Sequence, residues 1–178
     1  MGIAWVFPGQ GSQKVGMAEP VLQLPGARER FEQASALLGR DLLAICSGTG
    51  GGGDLSDLND TRNTQPALFV IESLLAEALQ AQGRAPQLVA GHSLGELVAL
   101  HVAGVFDFAT GLQLMKSRST LMAAAGGGAM TAVMGFDRGE LDDLVAATEG
   151  VVVANDNSDA QVVLSGSPEA VAAVSSNL

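Results

Sequence analysis

Basic residues are scarce in this chain: nine Lys and Arg stand against 19 Asp and Glu, for a formal charge of −10. No basic stripe exists to neutralise phosphates, which argues against nucleic acid as a partner. Cysteine occurs once, at Cys46, so an internal disulfide is excluded and a reducing compartment fits. Such a lone thiol is most often a small buried apolar side chain. Aromatics make up 4% and tyrosine is absent, so any core is built mainly from aliphatics and alanine. No run approaches the ~18 apolar residues of a membrane span, and no charged n-region precedes an apolar h-region. These absences predict a soluble cytoplasmic protein with no membrane partner. What is present is 178 residues, 47% of them apolar, enough for one domain or for one domain plus part of a second.

The most informative stretch is Leu88-Val89-Ala90-Gly91-His92-Ser93-Leu94-Gly95-Glu96. A short apolar run enters Gly-His-Ser-Leu-Gly and a helical apolar period follows at once, the pattern of a strand that turns sharply into a helix with serine at the apex. Gly91 and Gly95 flank Ser93 at i−2 and i+2, where a Cβ crowds the strand-helix corner. Such a corner exposes the serine Oγ and aims the Leu94 N–H, at the positive end of the new helix, at whatever the serine attacks. With 23 glycines in the chain such a match also arises by chance, and it is the strand-before, helix-after context that argues for the elbow.

Upstream, Ile3 to Phe7 reads as a first buried strand ending in Pro8-Gly9-Gln10-Gly11-Ser12-Gln13. The spacing fits neither G-x-G-x-x-G nor a P-loop. What remains is either a loop whose glycines let the backbone approach a ligand, with Gln10 and Gln13 as polar donors, or a solvated turn. Ala27, Phe31, Ala34 and Leu38 make an amphipathic helix stopped by Gly39. Asp41 caps a short helix over Leu42 to Cys46. Gly48 to Gly53 reads as a mobile loop. Thr64-Gln65-Pro66 reads as the opening of a helix with proline in its first turn, an apolar stripe through Ala67, Leu68, Ile71, Leu74, Leu75 and Ala78, and Gly83 at its end. Gln65 there either faces a substrate or is an ordinary polar side chain at the surface.

After the elbow, Leu94 to Val102 reads as a helix, and Asp107 caps a longer one from Phe108 to about Ala125. Within it, Arg118 has Leu114, Met115, Leu121 and Met122 at i±3 and i±4, so its guanidinium is expected to emerge from a buried stripe. A charge there needs a partner, because an unpaired one costs several kcal/mol. That partner is either a protein carboxylate or an anionic ligand, and arginine suits planar, bidentate recognition of a carboxylate. Gly126 to Gly128 marks a break. Beyond it, Ala129 to Met134 (strand), Asp137 with Glu140 capping a helix to Ala147, strands at Val151 to Ala154 and Val162 to Leu164, and a helix from Ser167-Pro168-Glu169 form a βαββα run. This is a ferredoxin-like unit short of its last strand. The expected organisation is an α/β chain: a parallel-sheet, α/β-hydrolase-like core over 1–125 and a partial ferredoxin-like subdomain over 126–178.

A serine needs a general base within hydrogen-bond reach. His92 adjoins Ser93, where successive side chains diverge, and His101 lies roughly 12 Å further along the helix. Neither serves, and no histidine follows to complete a Ser…Asp…His order. Either the chemistry is absent or the base lies in sequence this chain does not contain.

Phe7 to Gln13, Asn63-Thr64-Gln65-Pro66-Ala67-Leu68, Gly91-His92-Ser93-Leu94-Gly95-Glu96, Arg118, Gly128-Ala129-Met130, Asn155-Asp156-Asn157-Ser158 and Gln161 to Gly166 together resemble malonyl-CoA:acyl-carrier-protein transacylases, in that family's order and spacing. The resemblance covers nearly the whole chain. It implies ping-pong transfer of malonyl from coenzyme A, a substrate and not a cofactor, through Ser93 to the thiol of an acyl carrier protein. It further implies an oxyanion hole from Leu94 N–H and Gln10, an Arg118 that holds the malonyl carboxylate, and Gln65, His92, Asn155 and Asn157 lining or supporting the pocket, with no metal. The family carries its histidine beyond the point where this chain stops, so the expectation is an N-terminal part with very weak activity or none. A serine esterase and a non-catalytic module that binds coenzyme A or carrier stay open beside it, as does the pathway (fatty acid, polyketide or malonate metabolism).

Overall fold

The computed structural model describes residues 2–50 and 56–178, which divide into two compact units at Ala124/Ala125. In the first unit, β1 (Ala4–Phe7) pairs in parallel with β2 (Leu88–Gly91), in the register Ala4–Leu88 to Phe7–Gly91. Around this pair stand α1 (Ala27–Leu38), α2 (Leu42–Cys46), α3 (Thr61–Ala81), α4 (Leu94–Val102) and α5 (Phe108–Ala124). Their shared core is aliphatic with phenylalanine: Phe7, Phe31, Leu42, Phe69, Leu94 and Met115 are all buried. Each such side chain contributes about 1.5–3 kcal/mol by leaving water. Local signals explain the helix ends: Asp41 accepts from Ala44 N, and Gly39 closes α1 at φ 71°. Lys116 Nζ reaches across from α5 to the Leu37 carbonyl at that same C-terminus, 2.9 Å away. Gly48 to Gly50, the described part of the glycine run, folds back with N–H bonds to the Ile45 and Ala44 carbonyls; Gly51 to Gly53 lie outside the described residues.

The central helix departs from expectation. It opens at Thr61, one residue after the cap Asp60, so Thr64 is not its first residue and Pro66 sits inside it. Proline lacks the N–H that would satisfy the Arg62 carbonyl. Arg40 takes over this duty: Nη2 donates to Arg62 O at 2.6 Å, while Nη1 donates to Leu38 O and Nε to Asn63 Oδ1. The helix therefore runs through its proline, and Asn63, Thr64 and Gln65 become buried residues.

The stripe on α3 also differs. Leu75, expected inside, is exposed, whereas Glu72 is only 6% exposed. Glu72 lies in a groove of about 370 Å³ whose other walls are apolar, among them Trp5, Phe7, Leu75 and Leu79. Among the described residues neither carboxylate oxygen has a hydrogen-bond partner. Burial alone pushes its pKa up to about 8.

The second unit holds β3 (Ala129–Met134), α6 (Arg138–Ala147), β4 (Val151–Ser158), β5 (Gln161–Gly166) and α7 (Pro168–Ser175). The sheet is antiparallel in the order β3-β5-β4, so the hairpin strand β5 inserts between the two strands joined by α6, a split βαβ arrangement. Its core is Leu141, Val151, Val162, Leu164, Val171 and Val174. The expected caps form: Asp137 accepts from Gly139 and Glu140 N–H, and Ser167 from Ala170 N–H. β4 extends past Ala154 through Asn155 to Ser158, with register shifts at Val153/Asn155 and Asp156/Ser158. Among the described residues no helix is long and apolar enough to cross a membrane. The chain is thus α/β, with one parallel and one antiparallel sheet.

Candidate active site

β2 hands the chain to α4 through His92 and Ser93, and the corner is tight. A Cβ on Gly91 would collide with the Gly95 carbonyl group, and one on Gly95 would collide with Phe7 O. Backbone lies on both sides of each clash and cannot give way, so both positions require glycine. Ser93 has φ 55° and ψ −108°, the only positive φ outside glycine among the described residues. Backbone strain of this kind costs about 1–3 kcal/mol and persists where the surroundings over-determine it. Ser93→Gly should therefore melt above Ser93→Ala, by about 1 kcal/mol or a few degrees. A thermal denaturation series checks this, and because both variants lack the hydroxyl, the difference isolates the backbone.

Ser93 occupies the cap position of α4, yet its side chain makes no capping bond. Its Oγ instead accepts from Arg118 Nη2 at 3.0 Å. The second terminal nitrogen, Nη1, donates to Gln65 Oε1 at 2.6 Å. Gln65 is fully buried, and its Nε2 donates to Thr61 Oγ1 at 2.8 Å and lies 3.2 Å from Met122 Sδ. Thr61 in turn donates to Gln10 Oε1 at 2.9 Å. Serine, arginine and both glutamines thus belong to one hydrogen-bonded chain drawn from the β1 loop, α3, the elbow and α5. Leu94 is buried as the first residue of α4, where backbone N–H groups have no intrahelical acceptor.

Arg118 reaches this place by a route the periodicity misjudged. Of its four apolar neighbours on α5 only Met115 is buried; Leu114, Leu121 and Met122 are exposed, and Leu121 reaches 71%. The buried stripe is Phe108, Gly111, Leu112, Met115 and Ser119, so Arg118 stands at its margin, half-buried. Among the described residues Arg118 makes no ion pair, and both of its partners are neutral oxygens. Of the two partners the sequence left open, a protein carboxylate is therefore not found among the described residues.

His92 is exposed at the elbow, and its Nδ1 lies against the Gly9 backbone, 3.0 Å from where a Cβ on Gly9 would be. His101 is committed elsewhere: Nδ1 lies 3.0 Å from Phe106 O, and the ring packs among Phe69, Phe106 and Phe108. Gln13 is spent within the fold, accepting from Gly11 N–H and donating to Asn59 Oδ1. Asn155 and Asn157 stand on β4 of the second unit, with Asn157 donating to Gln161 Oε1. Cys46 is buried, and burial pushes its thiol up to about 12, so it is inert at neutral pH. Thr61 was not singled out by the sequence. Its signal is the T-x-x-x-Q spacing to Gln65, which places the two on one face once the helix starts at Thr61.

A model of the acyl transferase domain matches residues 4–178. The chain belongs to the acyl transferase domain family. A malonyl CoA-acyl carrier protein transacylase of Synechocystis is 51% identical over 178 residues, covering all of this chain and 59% of that protein. The crystal structure of the Synechocystis enzyme superposes with a TM-score of 0.91 over 99% of the chain. The transacylase of Escherichia coli K12 is 46% identical over 94% of this chain and 56% of its own length. A structure described as a type II polyketide synthase carrier protein in complex with its malonyl-transacylase matches with a TM-score of 0.87, at 38% identity over 98% of this chain and 58% of that one. The chain thus spans somewhat over half the length of these acyl transferase relatives.

Proposed function

We propose that this acyl transferase chain carries the nucleophile and the carboxylate-binding arginine of a malonyl-CoA:acyl-carrier-protein transacylase. The observation that carries the reading is Arg118, bonded to Ser93 Oγ at 3.0 Å and paired with no carboxylate among the described residues. A guanidinium beside the nucleophile, held by neutral oxygens, keeps its charge available for an anionic acyl group. Malonyl brings a free carboxylate where acetyl brings none. In the same reading the first unit is an α/β-hydrolase-like core and the second is part of a ferredoxin-like subdomain.

Ser93 Oγ attacks the thioester carbonyl, the oxyanion is met by Leu94 N–H and Gln10, and the C–S bond breaks to release coenzyme A thiol. In the second half the carrier's thiol attacks the malonyl-serine ester, and the C–O bond breaks to return the hydroxyl. The proton leaves Ser93 in the first half and returns in the second through a general base. Arg118 has only donors and His101 lies eight residues from Ser93 along α4, roughly 12 Å at 1.5 Å per residue, so this base is taken to lie outside the 178 residues. His92, Asn155 and Asn157 keep supporting roles in the reading, as does a cytoplasmic location. The relative described as a carrier-protein complex supports an acyl carrier protein as acceptor.

Incubation with malonyl-CoA should slowly add one malonyl group to the protein, read by intact mass, and peptide mapping should place it on Ser93. Ser93→Ala should abolish the adduct. Equal labelling by acetyl-CoA or simple esters would favour an esterase, and coenzyme A binding without any adduct would favour a non-catalytic module.

A further inference from the structure

We propose that Thr61 is a positioning residue for Arg118, fixing the polarity of the hydrogen-bond chain that runs from Ser93 to Gln10; this rests on the malonyl reading above. A guanidinium only donates, so the Gln65 amide atom facing Arg118 Nη1 at 2.6 Å is the oxygen. Gln65 is fully buried, so its nitrogen must find an acceptor on the other side, and Thr61 Oγ1 is there at 2.8 Å. Met122 Sδ, at 3.2 Å, is a weak acceptor and no substitute.

A hydroxyl carries one proton. Having accepted from Gln65, Thr61 donates its own proton to Gln10 Oε1 at 2.9 Å, which engages the Gln10 amide through its oxygen. The donor-only character of Arg118 thus propagates across the first turn of α3 to the loop after β1. Thr61 is the link at which it would break: without the hydroxyl, a buried amide donor loses its acceptor and Gln65 gains a reason to turn. A turned Gln65 presents NH2 to Arg118, donor against donor, and the guanidinium loses one of its two anchors.

Thr61→Val removes the hydroxyl at nearly constant shape, and Thr61→Ser restores it. In the full chain, the ratio of Ser93 labelling by malonyl-CoA to that by acetyl-CoA should fall about tenfold in Thr61→Val and return to within about twofold of the parent in Thr61→Ser. A purely structural role would slow both labels alike and leave the ratio unmoved. Side-chain amide exchange of Gln65, followed by NMR, should quicken at least about tenfold in Thr61→Val and recover in Thr61→Ser. An unchanged ratio in a folded Thr61→Val protein overturns the proposal. If the parent shows no malonyl preference, it is the malonyl reading that fails, and the exchange measurement decides the Thr61 relay alone: faster exchange upholds it and unchanged exchange overturns it.

Discussion

Arg118→Ala should lower the rate of Ser93 labelling by malonyl-CoA about 100-fold while leaving labelling by acetyl-CoA within a few-fold of the parent. A charge-assisted bidentate contact with a carboxylate contributes about 3 kcal/mol, which corresponds to that factor. Acetyl has no carboxylate to lose, so its rate reports only the loss of the bond to Ser93 Oγ. Arg118→Lys should recover part of the malonyl rate, because an ammonium supplies the charge without the planar fork. Rates from intact-mass time courses with both thioesters check this. An Arg118→Ala protein that keeps its malonyl preference would remove the carboxylate from the role of Arg118. The same variant frees the Oε1 of a buried Gln65, so its melting temperature belongs in the measurement.

The second large effect lies away from the site. Glu72 is buried with both oxygens unpartnered among the described residues, and its pKa stands at about 8 against the usual 4.5. The folded state therefore binds a proton more tightly than the unfolded chain. Stability is complete below about pH 4.5, falls as pH rises through the interval up to about 8, and is level above it with respect to this group. The full shift corresponds to a loss on the order of 5 kcal/mol at high pH. Among the described residues no other titratable side chain lines the groove, so the dependence should follow this one. Glu72→Met, similar in shape and apolar, should raise the melting temperature at pH 8 by roughly 10 °C and remove that part of the pH dependence. Glu72→Gln should also flatten the pH profile but gain less, because an amide in the same groove still lacks partners. Melting curves of the parent and both variants between about pH 5 and 9 check these statements. A Glu72→Met profile that runs parallel to the parent's would show that the pH dependence arises elsewhere.

The ends of most elements and the elbow itself were legible in the sequence because their causes are local. Asp41, Asp137 and Ser167 cap through their own side chains, Gly39 supplies a left-handed residue, and Gly91 and Gly95 leave room that no other residue leaves. The two short apolar runs that end in glycine-rich turns were legible as strands, and the structure pairs them in parallel as β1 and β2. Local rules failed wherever a distant residue intervened. Pro66 signals a helix start until Arg40, from the α1–α2 connection, supplies the donor that the proline lacks. Leu75 fits the helical stripe and Glu72 does not, yet their burial is set by which side of α3 faces the β1 groove.

The sequence by itself determined the strand-to-helix corner at Ser93, the helix caps and the surplus of negative charge, since these depend on neighbours in the chain and on composition. Tertiary structure alone decided that Arg118 meets Ser93 and, among the described residues, no carboxylate, and that Thr61 and Gln65 join it to the β1 loop. Residues 53 and 25 positions apart can share a hydrogen bond only once helices have packed, and a periodic pattern carries no record of which flank of a helix will find a partner.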